Sequence, residues 1–562
     1  MFDAPLLQEH ILSNLIKFNM TTLVSRLWVP WMLIVALVLG VSLWLLRRQI
    51  RTAPAYFNLF DNVSYKFRPR KKRDWAALLT LAAALGLTAF YMYGTENSFF
   101  ENFDLMALGT TRSLMTGMVP NFDFARITPL AFWNLSTLYA ITQNMYVIKG
   151  FVFAQLLLAV YLLYRFFDYI PSARRLVFLA VFLLTPTMLL TSKVVFPDRE
   201  ILIALTAALL CARRYSRTSR LRWAAWFLFF MNVAIYTKET CILFFFGTLL
   251  ASLAYNIWNE KITPRSFLHP LQTIKAMPLE FLTGLSLLLY SVIYFLLQTP
   301  HESNIYLANG RHHWQELLVY YRFELAVCAA AFGVLLLRAR RCYDTLINPM
   351  FRGGLVIGGA AIAVGIVLVL QTAPNSPHLA GKTYYLLLTL LFSLAYLFEH
   401  IRSRFALTVL SAAILFYSAV KDCEASKQEI GKYYRETAEF LAQSMNKEDV
   451  NFLFIVEKPQ ATPDIDQWII EAWSTIYRYY FRDYKLIIKS NRHLVKSVAD
   501  LLHLQQFRLR VYTPIVPQKQ PLKGDWVILN KNNNLPETQE IRKSLPEKPI
   551  FENALFEVFR AQ

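Results

Sequence analysis

The residues able to do chemistry sit in a few polar islands between long apolar runs. The first, ENFDLMALGTTRSLMTGMVPNFDFARITPLAF at 101–132, carries Glu101 and Asp104. A carboxylate there is suited to take a proton from an acceptor hydroxyl or amine. The plainer reading is that Asp104, or Asn102, caps an interfacial helix by accepting its free amides. Leu105, Leu108, Leu114 and Met115 would form that helix's apolar face. SKVVFPDREILIAL places Asp198, Arg199 and Glu200 at the start of an apolar run, with Lys193 before them. YTKET sets Lys238 and Glu239 at a narrow break, where a solvated turn is the default. HESNIYLANGRHHWQE offers His301, Glu302, Arg311, His312 and His313, in no spacing that matches a zinc signature. NSPHLAGKTYYLLL brings His378 and Lys382, the latter long enough to snorkel toward headgroups. Taken singly, each island is a cap, a turn or an anchor. Taken together they put cations and carboxylates at one level, where the phosphate of an anionic lipid would lie.

That shared level requires a particular scaffold. The chain has 562 residues, 56% of them hydrophobic and 17% charged, with a mean hydropathy of +0.34. So apolar a composition excludes an ordinary soluble protein and predicts a polytopic α-helical membrane protein. A helix of about 20 residues crosses a hydrocarbon core about 30 Å thick. Runs of that kind are expected near 28–46, 75–93, 145–167, 176–191, 200–212, 223–236, 240–258, 279–298, 323–338, 353–371, 383–399 and 405–420, or about twelve spans. Alternate loops hold RRQIR and KFRPRKKR, then Arg174 and Arg175, RRYSRTSRLR, Lys261 and Arg265, RARR, and Arg402 with Arg404. Cation-rich loops stay cytoplasmic, so the polar islands and both termini are expected outside. The net charge of +20 is then mostly loop charge facing anionic lipid, and no nucleic-acid partner is implied.

Three regions follow: residues 1–74, an N-terminal span and basic cytoplasmic loop; 75–420, a membrane domain with its first outward loop at 94–144; and 421–562, a soluble outer α/β domain. In the last, strands are expected at VNFLFIVE, YKLIIKS, RLRVY and DWVILN, with helices beginning at PDIDQWIIEAW and NRHLVKSVADLLHL. Cys211, Cys241 and Cys328 fall inside spans, Cys342 is cytoplasmic and Cys423 stands alone, so no disulfide framework is expected. The run at 28–46 reads as a retained span rather than a removed signal peptide.

The order of these signals resembles the GT-C superfamily of membrane glycosyltransferases, which includes the protein O-mannosyltransferases and the aminoarabinose and arabinofuranosyl transferases. The order is an acidic first outward loop, Gly117 to Pro120 followed by NFDFARITPLAFW, a PD at a span start, a TKE turn, a Lys-x-Tyr-Tyr start to a late span, and a soluble outer domain. The likeness spans residues 75–420 in layout. Two features depart from it: the adjacent Asp-Glu pair of the mannosyltransferase loop is missing, and an extra span precedes the usual first one. The resemblance implies a polyprenyl-phosphate-linked sugar donor, a glycan, lipid or protein acceptor, no further cofactor, and an inverting displacement. It assigns Asp104, with Glu101 as its neighbour, to the acceptor's proton. Lys238, Arg311 and Lys382, with Arg199, go to the donor phosphate, and Asp198, Glu239, His378 and Tyr384 to the rest of the substrate. It also implies a multi-pass protein of a bacterial inner membrane whose site faces the periplasm.

The chemistry agrees with the residues. A polyprenyl phosphate leaves with its charge neutralised by Lys or Arg, and the chain has neither a dinucleotide fingerprint nor a P-loop for a nucleotide sugar. Phe122, Phe124, Trp133 and Trp314 are suited to stacking on sugar rings, although interfacial anchoring explains them as well. The rivals are a transporter or lipid-linked-glycan flippase, which predicts ionisable groups at mid-membrane in corresponding halves of the chain, and a noncatalytic assembly protein.

Overall fold

Long apolar segments fold as helices because a helix satisfies every backbone polar group within itself. The computed structural model describes residues 30–52, 72–94, 145–191, 198–239, 241–258, 269–297, 322–341, 379–401, 403–426, 451–456, 486–488, 509–512, 523–531 and 536–561, with isolated positions in 130–141 and 433–444 and at 521. The helices are α1 (Pro30–Leu45), α2 (Arg47–Thr52), α3 (Lys72–Gly94), α4 (Met145–Phe166), α5 (Ser172–Leu183), α6 (Pro186–Thr191), α7 (Asp198–Thr218), α8 (Leu221–Thr237), α9 (Cys241–Trp258), α10 (Pro270–Ala276), α11 (Pro278–Leu297), α12 (Arg322–Arg341), α13 (Leu379–His400) and α14 (Arg404–Ser426). The run expected at 353–371 lies outside the described residues.

The run at 176–191 is a correction. It breaks into α5 and α6 at Thr185 and Pro186. Proline lacks an N–H and disfavours a helical conformation in the residue before it. Thr185 serves both broken ends: its hydroxyl donates to the carbonyl of Phe182 at 2.7 Å and accepts from the amide of Met188 at 3.4 Å.

Two ends of the bundle are fixed by cross-helix hydrogen bonds. At the arginine-rich end Tyr215 Oη donates to the carbonyl of Ile50 at 2.6 Å, Arg213 to that of Phe166 at 2.7 Å, and Arg174 to that of Ile401 at 3.2 Å. At the opposite end Trp31 Nε1 donates to Tyr236 Oη at 3.2 Å, and the amide of Leu130 donates to the carbonyl of Tyr236 at 3.1 Å. Tyr93 Oη donates there to the carbonyl of Tyr146 at 3.3 Å, which joins the outer ends of α3 and α4. The described loops expected to be cytoplasmic therefore gather at one end and those expected outside at the other.

The tightest pairing is the α7–α8 hairpin, turned at Ser219 with a φ of 48°. Ala204, Ala208 and Ala212 are buried along α7 at intervals of four, the small-residue stripe that lets membrane helices approach closely. Around the buried core, Leu33, Leu37, Trp44, Leu79, Phe90, Trp226, Phe229 and Phe416 are exposed. So much apolar surface on the outside of a helical bundle fits lipid as its solvent. Among the described residues, Lys72–Tyr93 and Tyr146–Phe166 are long and apolar enough to cross a membrane by length and composition, and Pro30–Leu45, Cys241–Leu250, Pro278–Tyr294, Leu390–His400 and Phe405–Tyr417 are shorter apolar stretches.

The C-terminal residues form a six-stranded sheet of β1 (Asn451–Val456), β2 (Leu486–Ile488), β3 (Leu509–Tyr512), β4 (Trp526–Asn530), β5 (Phe551–Glu552) and β6 (Phe556–Arg560), in the order β2-β3-β1-β4-β6-β5. The first four strands are parallel, and β6 runs antiparallel to β4 and β5. Helix α15 (Pro536–Lys543) covers part of the sheet through Ile541. Phe440 stacks on Phe551 at 4.6 Å, and Asn553 Nδ2 donates to the carbonyl of Tyr433 at 2.9 Å, which docks the preceding helical segment on the sheet edge. The helices expected at PDIDQWIIEAW and NRHLVKSVADLLHL lie outside the described residues.

Candidate functional site

The site is assembled where α4, α7 and α8 meet. Because α7 and α8 form an antiparallel hairpin, the first residue of α7 returns to the level of the last residue of α8. Lys238 Nζ thereby reaches Asp198 Oδ1 at 2.8 Å. The Asp198 side chain is fully buried and that of Lys238 is 10% exposed. Asp198 is thus bound to a cation 40 positions away rather than only closing the start of its own helix. Its second oxygen, Oδ2, is buried without a hydrogen-bond partner among the described residues.

Beside the pair, Arg199 is fully buried, and its Nε donates to Gln155 Oε1 at 2.8 Å. The side chains of Gln155 and Asn134 lie within interaction range of the Glu200 carboxylate. Gln155 therefore stands between a cation and an anion, and its bond to Arg199 ties α7 to α4. Asn134 brings the end of the first loop into the same cluster. Lys238 and Glu239 supply carbonyls that accept from the amides of Cys241 and Ile242, at 3.0 and 3.1 Å, so the TKE turn is a tight link between α8 and α9. An aromatic wall adjoins it: Tyr236 and Tyr290 meet edge to face at 5.0 Å, and Tyr290 stacks on Tyr294 at 6.1 Å.

The depth of this cluster follows from α4. Gln155 lies ten residues along the helix from Met145, about 15 Å at a rise of about 1.5 Å per residue. Measured along that helix, the charged junction is sunk well below the start of α4, and ionisable groups at such a distance inside a membrane pair with one another or meet water. Its formal charges are Asp198, Glu200 and Glu239 against Arg199 and Lys238.

The structure brings Asp198, Arg199, Lys238 and Glu239 of the expected set to one place. Lys382 and Tyr384 lie in the first turns of α13, whose backbone alone is described at those positions. Glu101, Asp104, Arg311 and His378 lie outside the described residues. Gln155 and Asn134 were missed by the sequence reading. Gln155 was detectable, since a lone amide inside GFVFAQLLLAV is an intramembrane polar group with no structural excuse in its own segment. Asn134, in FWNLST, carried no such signal.

The crystal structure of ArnT from Cupriavidus metallidurans bound to undecaprenyl phosphate superposes on this architecture with a TM-score of 0.50, at 13% identity, over 87% of this chain and 98% of that one. The chain has a GT-C-like fold. It is an integral, polytopic membrane protein. No protein-family model and no curated protein matches the sequence. The likeness therefore rests on shape.

Proposed function

We propose that the protein is a GT-C-type glycosyltransferase that moves a sugar from a polyprenyl-phosphate-linked donor to a glycan, lipid or protein acceptor at the outer face of a bacterial inner membrane. The observation that carries this reading is the likeness across nearly the whole length of ArnT, a protein whose structure holds undecaprenyl phosphate. The buried carboxylate and ammonium groups at the α7–α8 junction support it, because such a site can hold polar substrate against a dry wall. In this reading the chain crosses the membrane about twelve times, and residues 421–562 form an outer α/β domain.

The reaction needs a base, a seat for the leaving phosphate and no nucleotide. Asp104, or Glu101 beside it, takes the proton from the acceptor hydroxyl or amine. The acceptor atom bonds to the anomeric carbon as the bond from that carbon to the phosphate oxygen breaks, and the electron pair leaves with the phosphate. Lys238, Arg311, Lys382 and Arg199 neutralise the departing charge, while Asp198, Glu239, His378 and Tyr384 hold the remainder of the substrate. A single displacement inverts the anomeric configuration. The deciding test is Asp104→Asn, which retains helix capping but cannot accept a proton. Transfer from a polyprenyl-phosphate sugar should fall by a factor on the order of 10²–10⁴, with Glu101→Gln costing less. Near-full transfer in both variants would refute the assignment of the base.

A further inference from the structure

The extra N-terminal helix pair does more than add a span. It is tied to α8 at one end by Trp31 to Tyr236, and to α7 at the other by Ile50 to Tyr215. The second tie sets Arg47, Arg48 and Arg51 of α2 next to the hairpin turn bearing Arg214, Arg217, Arg220 and Arg222. Three of these guanidinium groups lie over indole rings: Arg47 over Trp44 at 4.4 Å, and Arg214 and Arg222 over Trp223 at 4.5 and 5.0 Å. Among the described residues, no carboxylate within ion-pair distance of Arg48, Arg51, Arg214, Arg220 or Arg222 is found. Each helix then repeats one pattern. Trp44 precedes Arg48 by one turn, and Trp226 follows Arg222 by one turn, so on both helices an exposed indole stands next to an arginine on the side toward the middle of the bundle. Leu45 and Phe229 extend that exposed apolar surface.

We propose that this corner of α1, α2, α7 and α8 is a binding site for an anionic phospholipid of the leaflet at the arginine-rich end. The arginines take the headgroup phosphate, the indoles hold the interfacial level, and the acyl chains lie along the exposed apolar face of α1 and α8. A soluble phosphate ester would use the guanidinium groups alone and leave that apolar face uncovered. The general preference for cations on the cytoplasmic side accounts for the number of arginines. It does not account for the arginines of each segment lying over an indole of that segment, nor for the hydrogen bond that holds the two segments together.

The test uses the full-length protein in phosphatidylcholine nanodiscs doped with phosphatidylglycerol, with retained lipid counted by native mass spectrometry. The wild type should retain phosphatidylglycerol in preference to phosphatidylcholine. Each cation near an anionic headgroup contributes about a fivefold preference, so Arg48→Gln/Arg214→Gln/Arg222→Gln should lower it by up to about a hundredfold. The comparison is a charge-matched set elsewhere at the same end, Arg73→Gln/Arg165→Gln/Lys275→Gln, which should leave retention near the wild-type level. Equal loss in the two sets shows a diffuse charge effect and overturns the site. Absence of any preference in the wild type overturns it without reference to the variants. The readout needs no sugar transfer, so it stands or falls separately from the proposed activity.

Discussion

Replacing one member of the Asp198–Lys238 pair leaves the other as a buried charge. At 2.8 Å and an effective dielectric constant of about 20, the pair's Coulomb attraction is about 6 kcal/mol. Desolvation of both groups offsets much of it, and removing one partner of such a pair typically costs about 3–5 kcal/mol. Asp198→Asn and Lys238→Met should therefore each lower the midpoint of thermal unfolding in detergent, by on the order of 5 °C. The double variant should be more stable than either single one, because no charge is left unmatched. Transfer is expected to respond differently. Lys238→Met and the double variant should both lose it, since restoring electrostatic balance does not restore a cation for the phosphate. Intrinsic fluorescence and a transfer assay on the same preparations separate the two effects. If the single losses in stability simply add in the double variant, the two groups are not coupled and the buried junction is wrong; if the double variant regains transfer, the pair is structural and the donor phosphate is held elsewhere.

Gln155→Leu should preserve the apolar packing of α4 while leaving Arg199 and Glu200 without their shared amide, at a cost of about 1–3 kcal/mol and with lower transfer; an unchanged melting curve would count against the bridge. Arg175, whose guanidinium lies 3.8 Å from the Tyr164 ring centroid, should not tolerate lysine well: Arg175→Lys is expected to cost about 1–2 kcal/mol, measured by thermal unfolding, and Tyr164→Leu should remove most of the difference between the two residues. Cysteines placed at Arg48 and Arg217 should react with impermeant reagents from the side opposite to one placed at Asn309, and labelling of all three from one side would contradict the orientation.

Helix positions were legible because lipid-facing segments must be continuous and apolar, and α3, α4, α8, α9 and α11 fall within a few residues of the expected runs. The break at Thr185–Pro186 was hidden by the apolar residues on both sides of it, although proline alone was reason to expect it. In the C-terminal sheet the parallel strands announced themselves as short apolar runs. The antiparallel pair β5–β6 did not, because FEN and ALFEVFR mix charges with aromatics and their pairing depends on the edge that β4 presents. Asp198 and Lys238 were each recognisable as polar residues at an apolar boundary. Their partnership was not, since it arises from the hairpin that folds one boundary onto the other.

The sunken position of that junction has an electrical consequence. In the proposed orientation, with the start of α4 set at the outer edge of a hydrocarbon layer about 30 Å thick, a phosphate headgroup reaching Lys238 carries its negative charge inward by about 15 Å, roughly half of that layer. The full potential of an energised membrane, negative inside, acts on one charge with about 2.3 kcal/mol per 100 mV. About half of that, on the order of 1 kcal/mol per charge, would oppose occupancy wherever the path to the junction is dry, and almost none where water fills it. The voltage dependence of turnover in sealed vesicles is therefore a gauge of how wet the route to Asp198 and Lys238 is, and collapsing the potential should speed the protein only to the extent that the route excludes water.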